Sequence, residues 1–83
     1  MHTLRRMNRK ERTARTGNTL RRLRASKGLS QADLAVDCGV TRGAVIRWEA
    51  LTCEPDTFHR AKYAAALGVT VGKLGALFYT ARS

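Results

Sequence analysis

The stretch SQADLAVDCGVTRGAVIRWE, residues 30–49, constrains this chain more than any other. Ser30 suits a helix N-cap, because its hydroxyl can accept a hydrogen bond from a first-turn N–H. Asp33, three positions on, completes a shortened capping box. Leu34, Ala35 and Cys38 then share one helical face, which predicts a short helix over Gln31–Cys38. Gly39 can take φ > 0 without steric cost, as a tight turn requires. Thr41 caps a second short helix, with Val45 and Trp48 three apart on its inner face and Glu49 near its end. If Val45 and Trp48 face inward, then Thr41, Arg42, Gly43, Ile46 and Arg47 face outward.

The flanking sequence extends this into an all-helical chain. Asn18 is a plausible N-cap for a first helix carrying Leu20 and Leu23 on one face, with Gly28 just past its end. Pro55 opens a fourth helix over about 56–67, with Phe58, Ala61, Tyr63, Ala64 and Leu67 as its apolar candidates and Gly68 ending it. A fifth, shorter helix is expected around 71–77, although Gly72 and Gly75 each cost up to ~1 kcal/mol relative to alanine. The expectation is therefore a single five-helix domain over 18–79, with a basic arm at 1–17 and a short tail at 80–83. Eighty-three residues leave no room for a second domain.

Charge narrows the partner. Sixteen Lys and Arg against six Asp and Glu give a net +10, which favours a polyanion. Arginine outnumbers lysine, and its planar fork suits phosphate and guanine. The arm carries Arg5, Arg6, Arg9, Lys10, Arg12 and Arg15 against Glu11 alone, a net +5. With only Leu4, Met7 and Ala14 as apolar anchors, it is expected to be flexible or transiently helical. If the polyanion is DNA, the arm would touch its backbone or minor groove; otherwise it serves as a solubilising tail. Cys38 and Cys53 read as reduced thiols. His2 and His59 have no spacing with them that would complete a metal site, so neither metal nor cofactor is expected. No apolar run nears the ~20 residues that span a bilayer, and no stretch resembles a signal peptide. A cytoplasmic location is expected.

With these residues in view, the chain over 19–77 resembles the lambda-repressor-like helix-turn-helix domains of phage repressors and Cro proteins, and the related xenobiotic-response-element-like bacterial regulators. LRRLRASKGLSQADLA is similar to the family's first helix and the Ser-Gln start of its second. CGVTRGAVIRWE is similar to its turn and recognition helix, and ALGVTVGKL to its closing stretch. The chain departs from the family at Cys38, usually a larger aliphatic, at Thr57 and Arg60, near which leucines are usual, and at Gly43.

The resemblance implies roles for particular residues. Gln31 would donate to a phosphate and can brace the recognition helix. Arg24 and Glu49 would form an ion pair linking the first helix to the end of the third. Arg42 and Arg47 are candidates to read guanine, or failing that to hold phosphate. Gly43 either lets the backbone approach DNA or leaves its position unread. Ile46 either touches a thymine methyl or packs at the helix margin. The family core closes near Leu77. Leu74, Leu77, Phe78 and Tyr79 are therefore candidates for a dimer interface, the alternative being that Phe78 or Tyr79 folds back onto the first helix.

The function these features imply is a sequence-specific double-stranded DNA-binding regulator of Cro or immunity type. It would act by operator occupancy, as a homodimer at least on DNA, on a pseudo-palindromic site. The alternative is the antitoxin of a toxin–antitoxin pair that autoregulates its operon. No catalytic constellation is recognisable and no small-molecule ligand is expected.

Overall fold

The computed structural model describes residues 6–82. These fold into five helices: α1 (Arg9–Ser26), α2 (Gln31–Cys38), α3 (Arg42–Glu49), α4 (Thr57–Leu67) and α5 (Val71–Arg82). The described residues contain no strand.

Most helix starts follow from local chemistry. Ser30 accepts from the Asp33 N–H while the Asp33 carboxylate accepts from the Ser30 N–H, so two otherwise orphan donors are satisfied reciprocally. Thr41 Oγ1 accepts from the Ala44 N–H at 3.2 Å. Asp56 accepts from the His59 N–H at 2.8 Å, and Thr70 from the Lys73 N–H at 3.0 Å. Gly39 and Gly68 end α2 and α4 in the left-handed conformation, at φ 69° and 73°.

The two ends of the chain depart from the sequence expectation. The first helix does not start at Asn18. It starts after Asn8, whose side chain accepts from the Glu11 N–H while Glu11 reciprocates to the Asn8 N–H. Arg9, Lys10, Arg12 and Arg15, expected on a flexible arm, are therefore helical, whereas Arg5 lies outside the described residues. The helix runs unbroken through Gly17 because Thr16, Gly17 and Leu20 are buried by neighbouring helices, which offsets the weak propensity of glycine. The fifth helix does not stop at Leu77 but continues to Arg82, so residues 80–82 form a last helical turn rather than a tail. Buried Phe78 and Ala81 hold that turn down, and Arg82 pairs with Glu54.

The core gathers Leu20 from α1, Leu34, Ala35 and Cys38 from α2, Val45 and Trp48 from α3, Tyr63, Ala64 and Leu67 from α4, and Leu74 and Phe78 from α5. Trp48 and Tyr63 stack obliquely with ring centroids 4.8 Å apart. Burial, and after it the nearby Asp37 charge, pushes the Cys38 thiol above its ordinary range. Helix α4 uses only part of its predicted apolar set. Phe58 is 64% exposed, lying under the Lys62 ammonium instead of in the core.

Candidate nucleic-acid interface

Helix α3 turns two different faces to its surroundings. Val45, Trp48 and Glu49 are buried. Thr41, Arg42, Ile46 and Arg47 are exposed and Gly43 is half-buried, so the five residues expected to face outward share the solvent side. Gly43 and Arg47 are one helical turn apart. Arg47 Nη1 lies 3.4 Å from where a Cβ on Gly43 would stand, so the guanidinium runs back along the helix over the glycine. Arg42 and Arg47 thus bracket an outward surface whose middle is Gly43 and Ile46.

Behind this surface a chain of hydrogen bonds fixes α3. Arg24 of α1 donates from Nε to Glu49 Oε2 at 2.6 Å and from Nη1 to the Leu29 carbonyl at 2.9 Å. Gln31 Nε2 donates to Glu49 Oε1 at 3.0 Å. A carboxylate paired to an arginine only accepts, so Gln31 must turn its NH2 toward Glu49 and its carbonyl outward. Arg42 Nε and Nη2 then approach that carbonyl, each at 3.4 Å. One chain of contacts therefore ties α1 to the C-terminus of α3, then to the start of α2, and back to the first turn of α3. Glu49 is 2% exposed. A charge buried this far persists only when paired and hydrogen-bonded, and here Arg24 and Gln31 meet both needs.

The basic residues of the former arm do not gather beside α3. Gly17 is the point where α1 meets the last turn of α3. At 3.6 residues per turn, Arg12 and Arg15 lie roughly 140° and 160° around α1 from it. They line, with Arg6, Met7, Thr16, Thr19, Leu77 and Thr80, a cavity of about 460 Å³ between α1 and α5. Arg12 donates to the Met7 carbonyl at 2.7 Å and Arg15 to the Met7 sulfur at 3.5 Å. Lys10 falls on the Gly17 side of α1, as does Arg21, an exposed cation that the sequence reading did not single out. The signal was available: Lys10, Gly17, Arg21 and Arg24 are spaced by seven, four and three, which is one helical stripe.

The expected dimer residues separate. Leu74 and Phe78 are core, at 0% and 1% exposure, and cannot line an interface without unfolding α5. Leu77 is half-buried against the same core, and only Tyr79 projects, at 67%.

Two short helices joined through a left-handed glycine, the second turning an arginine-bearing face to solvent, define a DNA-binding module. Residues 20–74 match the helix-turn-helix family of Cro/C1 type, and the chain belongs to that family. It is a DNA-binding transcription regulator, with double-stranded DNA as its partner. No curated protein and no solved structure matches the chain. Among the described residues no single helix is long and apolar enough to cross a membrane, and no group of acidic, histidine or cysteine side chains is placed to hold a metal ion.

Proposed function

We propose that the chain is a sequence-specific repressor of Cro or immunity type that acts by occupying an operator. The observation that carries this reading is the outward face of α3, with Arg42 and Arg47 presented on a helix anchored from behind through Glu49. Such a helix enters the major groove with its first turn nearest the base edges, which favours Arg42 as a base reader. Gln31 holds Arg42 from the protein side, lowering the entropy lost when the guanidinium engages a guanine. Arg47, lying over Gly43, reaches bases or phosphates farther along, and Ile46 presents methyl groups suited to thymine. Lys10 and Arg21, on the side of α1 that meets α3, are better placed as backbone contacts than Arg12 and Arg15. An eight-residue recognition helix reads only a short half-site. Two copies on half-sites about 34 Å apart would supply the remaining specificity. Their contact would have to avoid Leu74 and Phe78, which the core already uses.

Binding-site selection from random duplexes tests the reading directly, and the expected result is one enriched, two-fold symmetric motif. Arg47→Ala should then lower affinity for the selected duplex by about tenfold or more, consistent with ~1–3 kcal/mol for one base-specific arginine, and lower random-duplex affinity much less. No enriched motif would overturn sequence-specific binding. An equal loss on both duplexes would reduce Arg47 to a phosphate contact.

A further inference from the structure

Gly17 sits inside α1 and is buried, a position where helix propensity prefers alanine. Its backbone does not call for glycine, since the glycines with positive φ are Gly28, Gly39 and Gly68. Space does call for it. A Cβ on Gly17 would overlap the backbone carbonyl oxygen of Glu49, and its next neighbours would be the Arg21 guanidinium nitrogens at 3.5 and 3.6 Å. A flexible side chain could swing aside, but the carbonyl belongs to the last residue of α3 and moves only with that helix. The same residue has its carboxylate held by Arg24, seven positions along the same side of α1. Glu49 is therefore seated twice on α1, by its backbone at Gly17 and by its side chain at Arg24.

We propose that Gly17 is a positioning residue for the recognition helix: the missing side chain lets α1 close on the last turn of α3 and so sets the pose in which Arg42 and Arg47 meet DNA. Adding a methyl group must push the two helices apart. That movement stretches the Glu49 contacts to Arg24 and Gln31, and through Gln31 it disturbs Arg42. Interior packing gives way in discrete shifts rather than smooth ones, and base reading tolerates little displacement. The inference rests on α3 being the base-reading element.

Gly75 supplies the control, because it lies in α5 and a Cβ there would meet nothing within 4 Å. Gly75→Ala should raise the melting temperature and leave DNA binding unchanged. Gly17→Ala, made in that stabilised background, should shift the backbone amide resonances of Arg42–Glu49 in the free protein. It should also weaken binding to the selected duplex ~10-fold or more, with random-duplex affinity held within about twofold because the phosphate contacts persist. Unmoved α3 resonances would overturn the proposal. So would moved resonances with unchanged selectivity, or a chain that fails to fold even in the Gly75→Ala background, which would make Gly17 a residue of the core alone. If the wild type showed no preference among duplexes, the base-reading assignment would fail by itself, and the amide shifts would still show whether Gly17 sets the α1–α3 seat.

Discussion

The helix-turn-helix pair α2–α3 and the outer pair made by the N-terminal half of α1 and the C-terminal half of α5 are built on different principles. In α2–α3 three of the four boundaries are written in adjacent residues: Ser30 with Asp33, Gly39 in the left-handed region, Thr41 over Ala44. Helices of eight residues are too short to stand alone and have no spare turn with which to absorb a misplaced end. In the outer pair the starts are capped locally, by Asn8 with Glu11 and by Thr70, but how far each helix runs comes from contact. Helix α1 passes through Gly17 and α5 passes Leu77 because each buries residues against other helices. The elements that present chemistry take their length from local chemistry, and the elements that hold them up take theirs from what they touch.

The largest expected effect tests whether the outer pair is structural. Phe78 is buried and Tyr79, its neighbour, is 67% exposed. Phe78→Ala should cost about 3–5 kcal/mol in urea unfolding, whereas Tyr79→Ala should stay within about 0.5 kcal/mol. A reversed order would mean that α5 is turned by about 100° from the pose described, and the division between supporting and presenting elements would fail.

That division also explains what the sequence made legible. The caps at Ser30 and Thr41 and the stops at Gly28, Gly39 and Gly68 could be read because each depends on side-chain or backbone chemistry within a few residues, whereas Asp56, expected as the first helical residue, is the cap of α4. The inward set Leu34, Val45, Trp48, Tyr63 and Leu67 could be read from helical spacing. The start of α1 was equally local, since Asn8 and Glu11 are spaced like Ser30 and Asp33, but the dense charge of residues 1–16 argued against a helix and masked it. Gly17 read only as the end of the basic arm because its purpose is a neighbour 32 positions away, Glu49. Phe78 and Tyr79 could not be told apart, because which of two adjacent aromatics faces inward depends on the rotation of α5 against α1 and α4. The Gln31–Glu49 and Arg42–Gln31 contacts needed the geometry for the same reason: only the packed helices bring those side chains together.

The next prediction compares the two ion-pair clusters. Glu49 and Arg24 are nearly enclosed, with side chains 1% and 15% exposed. Glu54, which joins the loop after α3 to Arg60 and to Arg82 at the end of α5, is 25% exposed, and its partners are 30% and 59% exposed. Glu49→Ala strands a largely dehydrated guanidinium and a glutamine amide, so it should cost about 3 kcal/mol. Glu54→Ala leaves arginines that water can reach, and should cost at most about 1 kcal/mol. Salt should sharpen the contrast, because screening weakens the open cluster and hardly touches the enclosed one. Equal losses in denaturant titrations at low and high salt would show that the enclosed pair has no special place in holding α3.

The smallest effect concerns acid. The Ser30 backbone N–H, and after it the Ser30 hydroxyl, hold the Asp33 carboxyl below its ordinary value of 3.8, and the His59 backbone N–H does the same for Asp56. A carboxyl depressed in the folded chain binds its proton more readily when unfolded. Its contribution is therefore complete above the unfolded value, is lost as pH falls from about there through the lower folded value, and is gone below both. Both groups lie at the surface, where solvent screens them, so the loss should show as a shallow slope in melting temperature below about pH 4 rather than a sharp transition. Asp33→Asn keeps an oxygen that can accept from the Ser30 N–H but removes the titrating charge, and should flatten that slope. Helix α1 begins at an asparagine, so Asn8→Asp should steepen the slope by adding a titrating cap to the outer pair. Melts from pH 5 to pH 2.5 on the three chains would decide the matter. If Asp33→Asn left the slope unchanged, the acid sensitivity would lie outside the α2 cap, and local chemistry would not be what holds the start of that helix.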